Sequence, residues 1–280
     1  MTGRARITVL AENTAFGPGL LGEHGLAFWV DVDSSRVLFD TGQGLVLAAN
    51  AFKLGIPVHD AEAIVLSHGH YDHTGGLPEA LKTNRHATVF AHPAAFAPKY
   101  ALKSDGSVRE IGMPHAAELA VRAIHRRLVF TDRPTAIGPR LMVTGFVPRT
   151  TKFEEPGGSF FLDPMCTRPD RMEDDQSVFF DTAEGTVVLL GCAHSGVINT
   201  LRYVRELTRG RPLRAVIGGM HLGDAPVERV GWTAEELRRL GVRQHAPAHC
   251  TGLPATVALW TAFPTACVAC HAGSTFDFPL

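Results

Sequence analysis

The segment Ser67-His68-Gly69-His70-Tyr71-Asp72-His73-Thr74-Gly75-Gly76 constrains this chain more than any other. It follows directly on Ala63-Ile64-Val65-Leu66, a short apolar run that reads as a buried strand. His68 and His70 stand two apart at that strand's end, so both imidazoles point to one side. Gly69 between them lets the backbone approach closely. Asp72 and His73 fall in the turn that follows, where adjacent side chains diverge enough to serve two neighbouring metals. Three imidazoles and a carboxylate suit zinc, iron or manganese. Histidine fills 14 of the 280 positions. At that frequency the four specified residues match by chance in roughly a few such chains per thousand. A metal site, rather than a polar loop rich in histidine, is the expectation.

The rest of the first third reads as short strands joined by tight turns, with Ile7-Thr8-Val9-Leu10, Leu26-Ala27-Phe28-Trp29-Val30 and Val37-Leu38-Phe39-Asp40 as apolar runs. Helical spacing over 45–54 is stopped by Gly55 and Pro57, a short helix surrounds 78–81, and a strand follows at 87–91. From about 94 to 165 the pattern weakens, with one helix near 116–124. This stretch is expected to be an insertion covering the active site within a single domain of residues 1–280. Strands return at 177–180 and 186–190, joined by a turn at Glu184-Gly185. A helix carrying Val197, Leu201, Val204 and Leu207 comes next, then a strand at 215–217. A second helix is expected to start at a capping box of Thr233 and Glu236 and to end at Gly241. The last clear strand is 242–247. Strands alternating with helices predict an α/β chain, in layered α+β form, with two sheets and helices outside.

Composition removes several alternatives. With 45 % hydrophobic and 20 % charged residues the chain is ordinary globular material, neither disordered nor coiled coil. A net charge of −1 offers no basic field, so neither nucleic acid nor a membrane surface is the expected partner. No apolar run approaches the ~18 residues of a membrane span. The first residues lead straight into Ile7-Thr8-Val9-Leu10 without the features of a signal peptide. Five cysteines do not read as a disulfide framework. A cytoplasmic enzyme acting on a small molecule is expected, of undetermined oligomeric state.

His68-x-His70-x-Asp72-His73 after a buried strand, with Leu38-Phe39-Asp40-Thr41-Gly42 one strand earlier, resembles the metallo-β-lactamase fold. The resemblance spans nearly the whole chain and implies a four-layer αββα sandwich with one or two metal ions at the sheet edges. Glu23-His24-Gly25-Leu26, Val147-Pro148-Arg149, Asp174-Asp175-Gln176, Gly191-Cys192-Ala193-His194, Gly218-Gly219-Met220-His221 and His249-Cys250-Thr251-Gly252 are similar to a narrower subgroup. That subgroup is named for 7,8-dihydropterin and ribofuranosyl-aminobenzene phosphate synthase activities.

The resemblance implies roles. His68, His70 and His194 would hold one ion, and Asp72, His73 and His249 a second, with zinc first and manganese or iron as alternatives. Asp72 would also orient the attacking water, and His221 would act as proton donor or ligand. Two departures leave a bridging ligand open. Where many members carry His-Thr-Pro-Gly this chain has Met172-Glu173-Asp174-Asp175-Gln176-Ser177, and where many carry Gly-Asp it has Gly191-Cys192. Asp175 and Cys192 are the candidates for that additional ligand. Asp40 reads as a carboxylate that orients the ligating histidines. Arg149 is expected near the substrate, where a guanidinium suits a phosphate or carboxylate. His24 stands either at the pocket border or on the surface.

Three functional readings follow. The first is a metal-dependent hydrolase, or related lyase or synthase, using a metal-activated water on a small anionic, phosphorylated metabolite. The second is an iron-dependent redox enzyme of the same fold, and the third a ligand-binding or sensing protein of low activity. Gly17-Pro18-Gly19-Leu20-Leu21-Gly22 matches a dinucleotide fingerprint as a string, but turn and strand follow it instead of a helix. Cys267-Val268-Ala269-Cys270-His271 matches a haem-attachment string without an export signal. Ordinary buried cysteines or a thiol pair remain open for Cys267 and Cys270. Serine-hydrolase and phosphate-loop motifs are absent from the sequence.

Overall fold

A computed structural model describes residues 3–154 and 159–280. The chain begins with three antiparallel strands, β1 (Arg4–Ala11), β2 (Ala27–Val32) and β3 (Ser35–Phe39), and then α1 (Leu47–Leu54). β4 (Ala63–Val65) leads through the histidine segment into the short α2 (Tyr71–Thr74), then α3 (Leu77–Thr83) and β5 (Thr88–Ala91). Next come β6 (Tyr100–Leu102), β7 (Val108–Glu110), α4 (His115–Ala123), β8 (Leu128–Phe130), β9 (Thr135–Ala136), β10 (Leu141–Val143) and β11 (Phe160–Phe161). The last part holds β12 (Ser177–Thr182), β13 (Gly185–Leu190), α5 (Val197–Leu207), β14 (Leu213–Gly219), α6 (Val227–Leu240), β15 (His245–Ala248), α7 (Leu253–Ala262) and β16 (Thr275–Pro279).

The strands form two main sheets, ordered β16-β1-β2-β3-β4-β5-β8 and β15-β14-β13-β12-β10-β9, and a small third one, β11-β6-β7. Both main sheets repeat one plan. An antiparallel hairpin (β2–β3, β12–β13) is followed by parallel strands, β4, β5 and β8 in one sheet and β14 and β15 in the other. Parallel strands need crossover helices, and helices cover the outer face of each sheet.

Side-chain alternation assigns the layers. In β2, Phe28 and Val30 enter the core between the sheets while Ala27 and Trp29 face the α1, α3 and α4 layer. In β13, Val187 and Leu189 face inward while Val188 and Leu190 meet α5, α6 and α7. Both faces are buried, so the strands read as continuous apolar runs rather than alternating ones. Each such buried side chain contributes about 1.5–3 kcal/mol. The result is the expected αββα sandwich.

Three expectations need correction. Residues 94–165 are not one covering insertion. β8 pairs with β5 and extends the first sheet, and β10 pairs with β12 and extends the second. Among the described residues of this stretch, it is the third sheet and its flanks that line the cleft. Strands of two or three residues, partly exposed, carry too little periodicity to be read individually. Second, α6 begins at Val227, so Thr233 is a buried mid-helix residue and not a cap. Gly231 sits inside the helix with open space around it. Third, α7 and β16 had no counterpart in the sequence reading. β16 alternates exposed and buried residues and closes the first sheet against β1.

Candidate metal centre

The cleft lies where the strands of both main sheets end. After β3, Asp40 adopts a left-handed backbone (φ 60°) that turns its carboxylate back toward β4. Its Oδ1 accepts from the Ser67 amide at 2.7 Å, and its Oδ2 accepts from Ser67 Oγ at 2.6 Å and His73 Nδ1 at 2.7 Å. The Ser67 hydroxyl has one proton and donates it to Asp40. It therefore accepts from His68 Nδ1, 2.8 Å away. This relay turns Nε2 of both His68 and His73 toward the other donors, His68 Nε2 lying 3.0 Å from His70 Nδ1 and His73 Nε2 3.2 Å from Cys192 Sγ. Both residues are fully buried. Gly69 is required where it stands, because a Cβ there would lie 2.1 Å from the Ala95 carbonyl oxygen. Its amide donates to Asp174 at 2.7 Å, and buried Lys99 donates to the other oxygen of Asp174 at 2.9 Å.

The second sheet contributes at three separate strand ends. Beyond β13 come Cys192, Ala193 (φ 53°) and His194; beyond β14, His221 (φ 47°); beyond β15, His249 (φ 50°). Left-handed backbone at non-glycine residues costs about 1–3 kcal/mol each and gathers where function over-determines the structure. His249 is held at Nδ1 by Asn13 Oδ1 (2.8 Å) and at its amide by Glu12 (2.8 Å). Its Nε2 then faces Asp72 Oδ2 at 3.2 Å and His73 Nε2 at 3.3 Å. The amide of Ser195, next to His194, donates to Asp175 at 2.9 Å.

These side chains converge. The rings of His68, His70 and His194 lie 4.5–5.0 Å apart, centroid to centroid. Donor atoms of His68, Cys192 and His194 fall within 4.8 Å of one another, as do those of His73, Cys192 and His249, and of His24, Asp72 and His249. His70 Nε2 and both ring nitrogens of His194 are buried without a hydrogen-bond partner. A buried polar atom left so costs free energy that a bound cation would recover. Burial drives His68, His70 and His194 toward the neutral form, His70 to about 3, and the neutral imidazole is the one that ligates. Asp72 is held well below the usual carboxylate range, because His73, His24 and His249 outweigh burial. Against burial, Asp40 and Asp72 raise His73 to about 9, so this end of the cleft attracts positive charge. The donor set fits one or two divalent ions.

The expected residues are placed unevenly. His68, His70, Asp72, His73, His194, His249, His221 and Cys192 meet in one cleft, and Asp40 sits behind them. Asp175 belongs to none of the donor groups among the described residues; it braces Ser195 instead. Arg149 corrects an expectation. Its guanidinium donates to the carbonyl oxygen of Arg171 at 2.5 Å and takes no part in lining the cleft. The cations that line it are Lys103, Arg109 and Arg229, none of which a local motif singled out. Arg109 stacks over Tyr71, 4.7 Å from the ring centroid. Ser67, Asp174, Cys250 and Phe160 were also missed. Phe160, from the third sheet, lies 5.3–6.0 Å from the rings of His70, His194 and His221. The cleft has a volume of about 550 Å³. Among the described residues no helix is long and apolar enough to cross a membrane.

Comparison with known proteins agrees with this fold. The family model of the metallo-beta-lactamase superfamily matches residues 21–204. A 7,8-dihydropterin-6-methyl-4-(beta-D-ribofuranosyl)-aminobenzene-5'-phosphate synthase from Methanocaldococcus jannaschii is 29 % identical over 98 % of this chain and 96 % of its own length. An uncharacterised protein of the same organism is 30 % identical over 90 % of this chain and 93 % of its own. A crystal structure described as a metal-dependent hydrolase of the beta-lactamase superfamily superimposes with a TM-score of 0.83 at 32 % identity, covering 99 % of this chain and 100 % of the other. On the family match, the relatives and the shared fold, the chain belongs to the metallo-beta-lactamase superfamily.

Proposed function

We propose that this protein is a metal-dependent hydrolase, or a closely related synthase, acting on a small phosphorylated metabolite. The observation that carries the reading is a floor of converging imidazoles, thiol and carboxylate beneath a cleft walled by Lys103, Arg109 and Arg229. His68, His70 and His194 would hold one zinc ion, with manganese or iron as substitutes, and Asp72, His73 and His249 a second. Bound there, a divalent ion lowers the pKa of water toward 7 and polarises a phosphoryl or carbonyl oxygen.

This chain's own groups do the rest. Asp72 Oδ2, kept ionised by His24 and His249, accepts a hydrogen bond from the incoming water and orients it. His221, on the wall beside His194, donates a proton to the leaving group. Phe160 shields the histidines from bulk solvent, which strengthens the electrostatics within. Lys103, Arg109 and Arg229 bind the substrate's anionic end. The phosphate in the name of the methanogen relative supports this substrate class.

The test is metal content per chain by elemental analysis, for wild type, His70→Ala and His194→Ala, beside turnover of phosphate esters and lactones. About two ions per chain, falling in both variants together with turnover, is the expected result. A chain that retains no metal after reconstitution overturns the proposal.

A further inference from the structure

Cys192 Sγ belongs to a third group of donors, of which the reaction above uses only His221. With His221 and Cys250 it forms a set whose ligand atoms all lie within 4.8 Å of one another. These residues come from three strand ends, and all three line the cleft, so a cation has a path to them. The backbone is shaped around the sulfur of Cys250. A Cβ on Gly219 would lie 2.6 Å from Cys250 Sγ and 2.4 Å from the Gly191 carbonyl oxygen, so only glycine leaves the thiol its place. The left-handed backbone of His221 and of His249, the residue before Cys250, turns both chains there. The remaining cysteines, Cys166, Cys267 and Cys270, are free thiols that join no donor group among the described residues.

Two thiols and an imidazole differ in kind from the imidazole and carboxylate donors beside them. Sulfur ligands select thiophilic ions, and two cysteines with one histidine is a ligand set of catalytic zinc, in which the fourth position stays open. We propose that Cys192, His221 and Cys250 form a thiolate coordination subsite for a thiophilic divalent cation such as zinc or cadmium, next to the imidazole-rich positions. The inference rests on the metal reading of the same cleft and adds to it a ligand, Cys250, and a preference for soft ions; with the subsite filled, His221 serves as a ligand in place of its role as proton donor.

Cobalt(II) titration of the metal-stripped full-length protein tests it, because cobalt bound to thiolate absorbs in the near ultraviolet whether or not the protein turns over a substrate. Wild type should develop a sulfur-to-cobalt band, with about half the intensity per bound ion in Cys250→Ser or Cys192→Ser. Cys166→Ser should leave it unchanged, and His70→Ala should retain it. Alkylation of wild type by iodoacetamide, mapped by mass spectrometry, covers the case of a variant that fails to fold. Cobalt or cadmium should protect Cys192 and Cys250 and leave Cys166 as reactive as before. Cobalt binding with no thiolate band, or a band indifferent to Cys250→Ser, overturns the subsite and leaves the metal-dependent reaction standing. A Cys192–Cys250 disulfide in the metal-loaded protein overturns it equally. Absence of any cobalt binding overturns this inference and the proposed function together.

Discussion

The loop from Ser67 to His73 and the strand ends at His194, His221 and His249 supply one cleft by opposite routes. In the loop, His68, His70, Asp72 and His73 fall on one short stretch of chain, and their bracing is charged. Asp40 orients His73 directly and His68 through Ser67, while Lys99 and Asp174 clamp the amide of Gly69. At the strand ends each histidine stands alone on its own turn: the ring of His249 is held by the neutral amide of Asn13 and its backbone amide by Glu12, while no side chain braces the ring of His194 and Asp175 holds only the amide of the next residue, Ser195. The first region is a preassembled unit. The second exists only when β13, β14 and β15 lie side by side. The residues at 174 and 175 join the two, since Asp174 anchors the loop and Asp175 the turn after His194.

The largest expected effect breaks the charged bracing. Lys99 is 1 % exposed and pairs with Asp170 at 2.8 Å and Asp174 at 2.9 Å. Lys99→Met leaves two carboxylates without their cation and should destabilise the fold by about 3–5 kcal/mol in urea denaturation. A loss below about 1 kcal/mol would mean the loop does not depend on the ion pair.

The strand-end region should reveal itself by pH. Glu154 accepts from the amides of Ile198 and Asn199 at the start of α5, yet burial pushes its carboxyl up to about 7. With the folded pKa above the unfolded value, its contribution is complete below about pH 4.5 and is lost as pH rises through about 7. Wild type should therefore lose about 2–3 kcal/mol across that window relative to Glu154→Gln. Parallel stability curves for the two proteins would contradict this.

The comparison sharpens at the histidines themselves. Asp40→Asn should weaken metal binding by about 10- to 100-fold in competition with a chelator, because a carboxylate bracing two ligands is lost. Asn13→Ala, behind His249, should weaken it by less than about tenfold, since a neutral acceptor makes the weaker hydrogen bond. Equal losses would erase the distinction drawn between the two regions. The smallest effect concerns α6. Thr233 Oγ1 is buried without a hydrogen-bond partner, so Thr233→Val should be neutral or stabilising by up to about 1 kcal/mol in thermal unfolding. A helix cap at this position would instead lose about 1 kcal/mol.

How much could be read from the chain alone follows the same division. The loop was legible down to single residues, since its chemistry is local: a strand, a glycine and four candidate ligands, three His and one Asp, within ten positions. His194 and His249 were legible through resemblance, as polar residues just beyond apolar runs. Arg149 shows the limit. A neighbouring motif suggested a substrate contact, but the direction of a long side chain depends on what packs around it, and here it meets the Arg171 carbonyl. Lys103 and Arg109 reach the cleft because three-residue strands fold over it, and strands that short leave almost no periodic trace.

What the sequence determined by itself is therefore what two-residue and 3.6-residue periodicity and local ligand spacing encode: both hydrophobic sheets, most helices, and one half of the metal centre. Tertiary structure alone decided which cations line the cleft, that Asp174 and Asp175 brace the two halves, and that Cys192, His221 and Cys250 meet. Those outcomes depend on the relative placement of strands distant in sequence. Long-range packing sets that placement, and no single segment of the chain contains it.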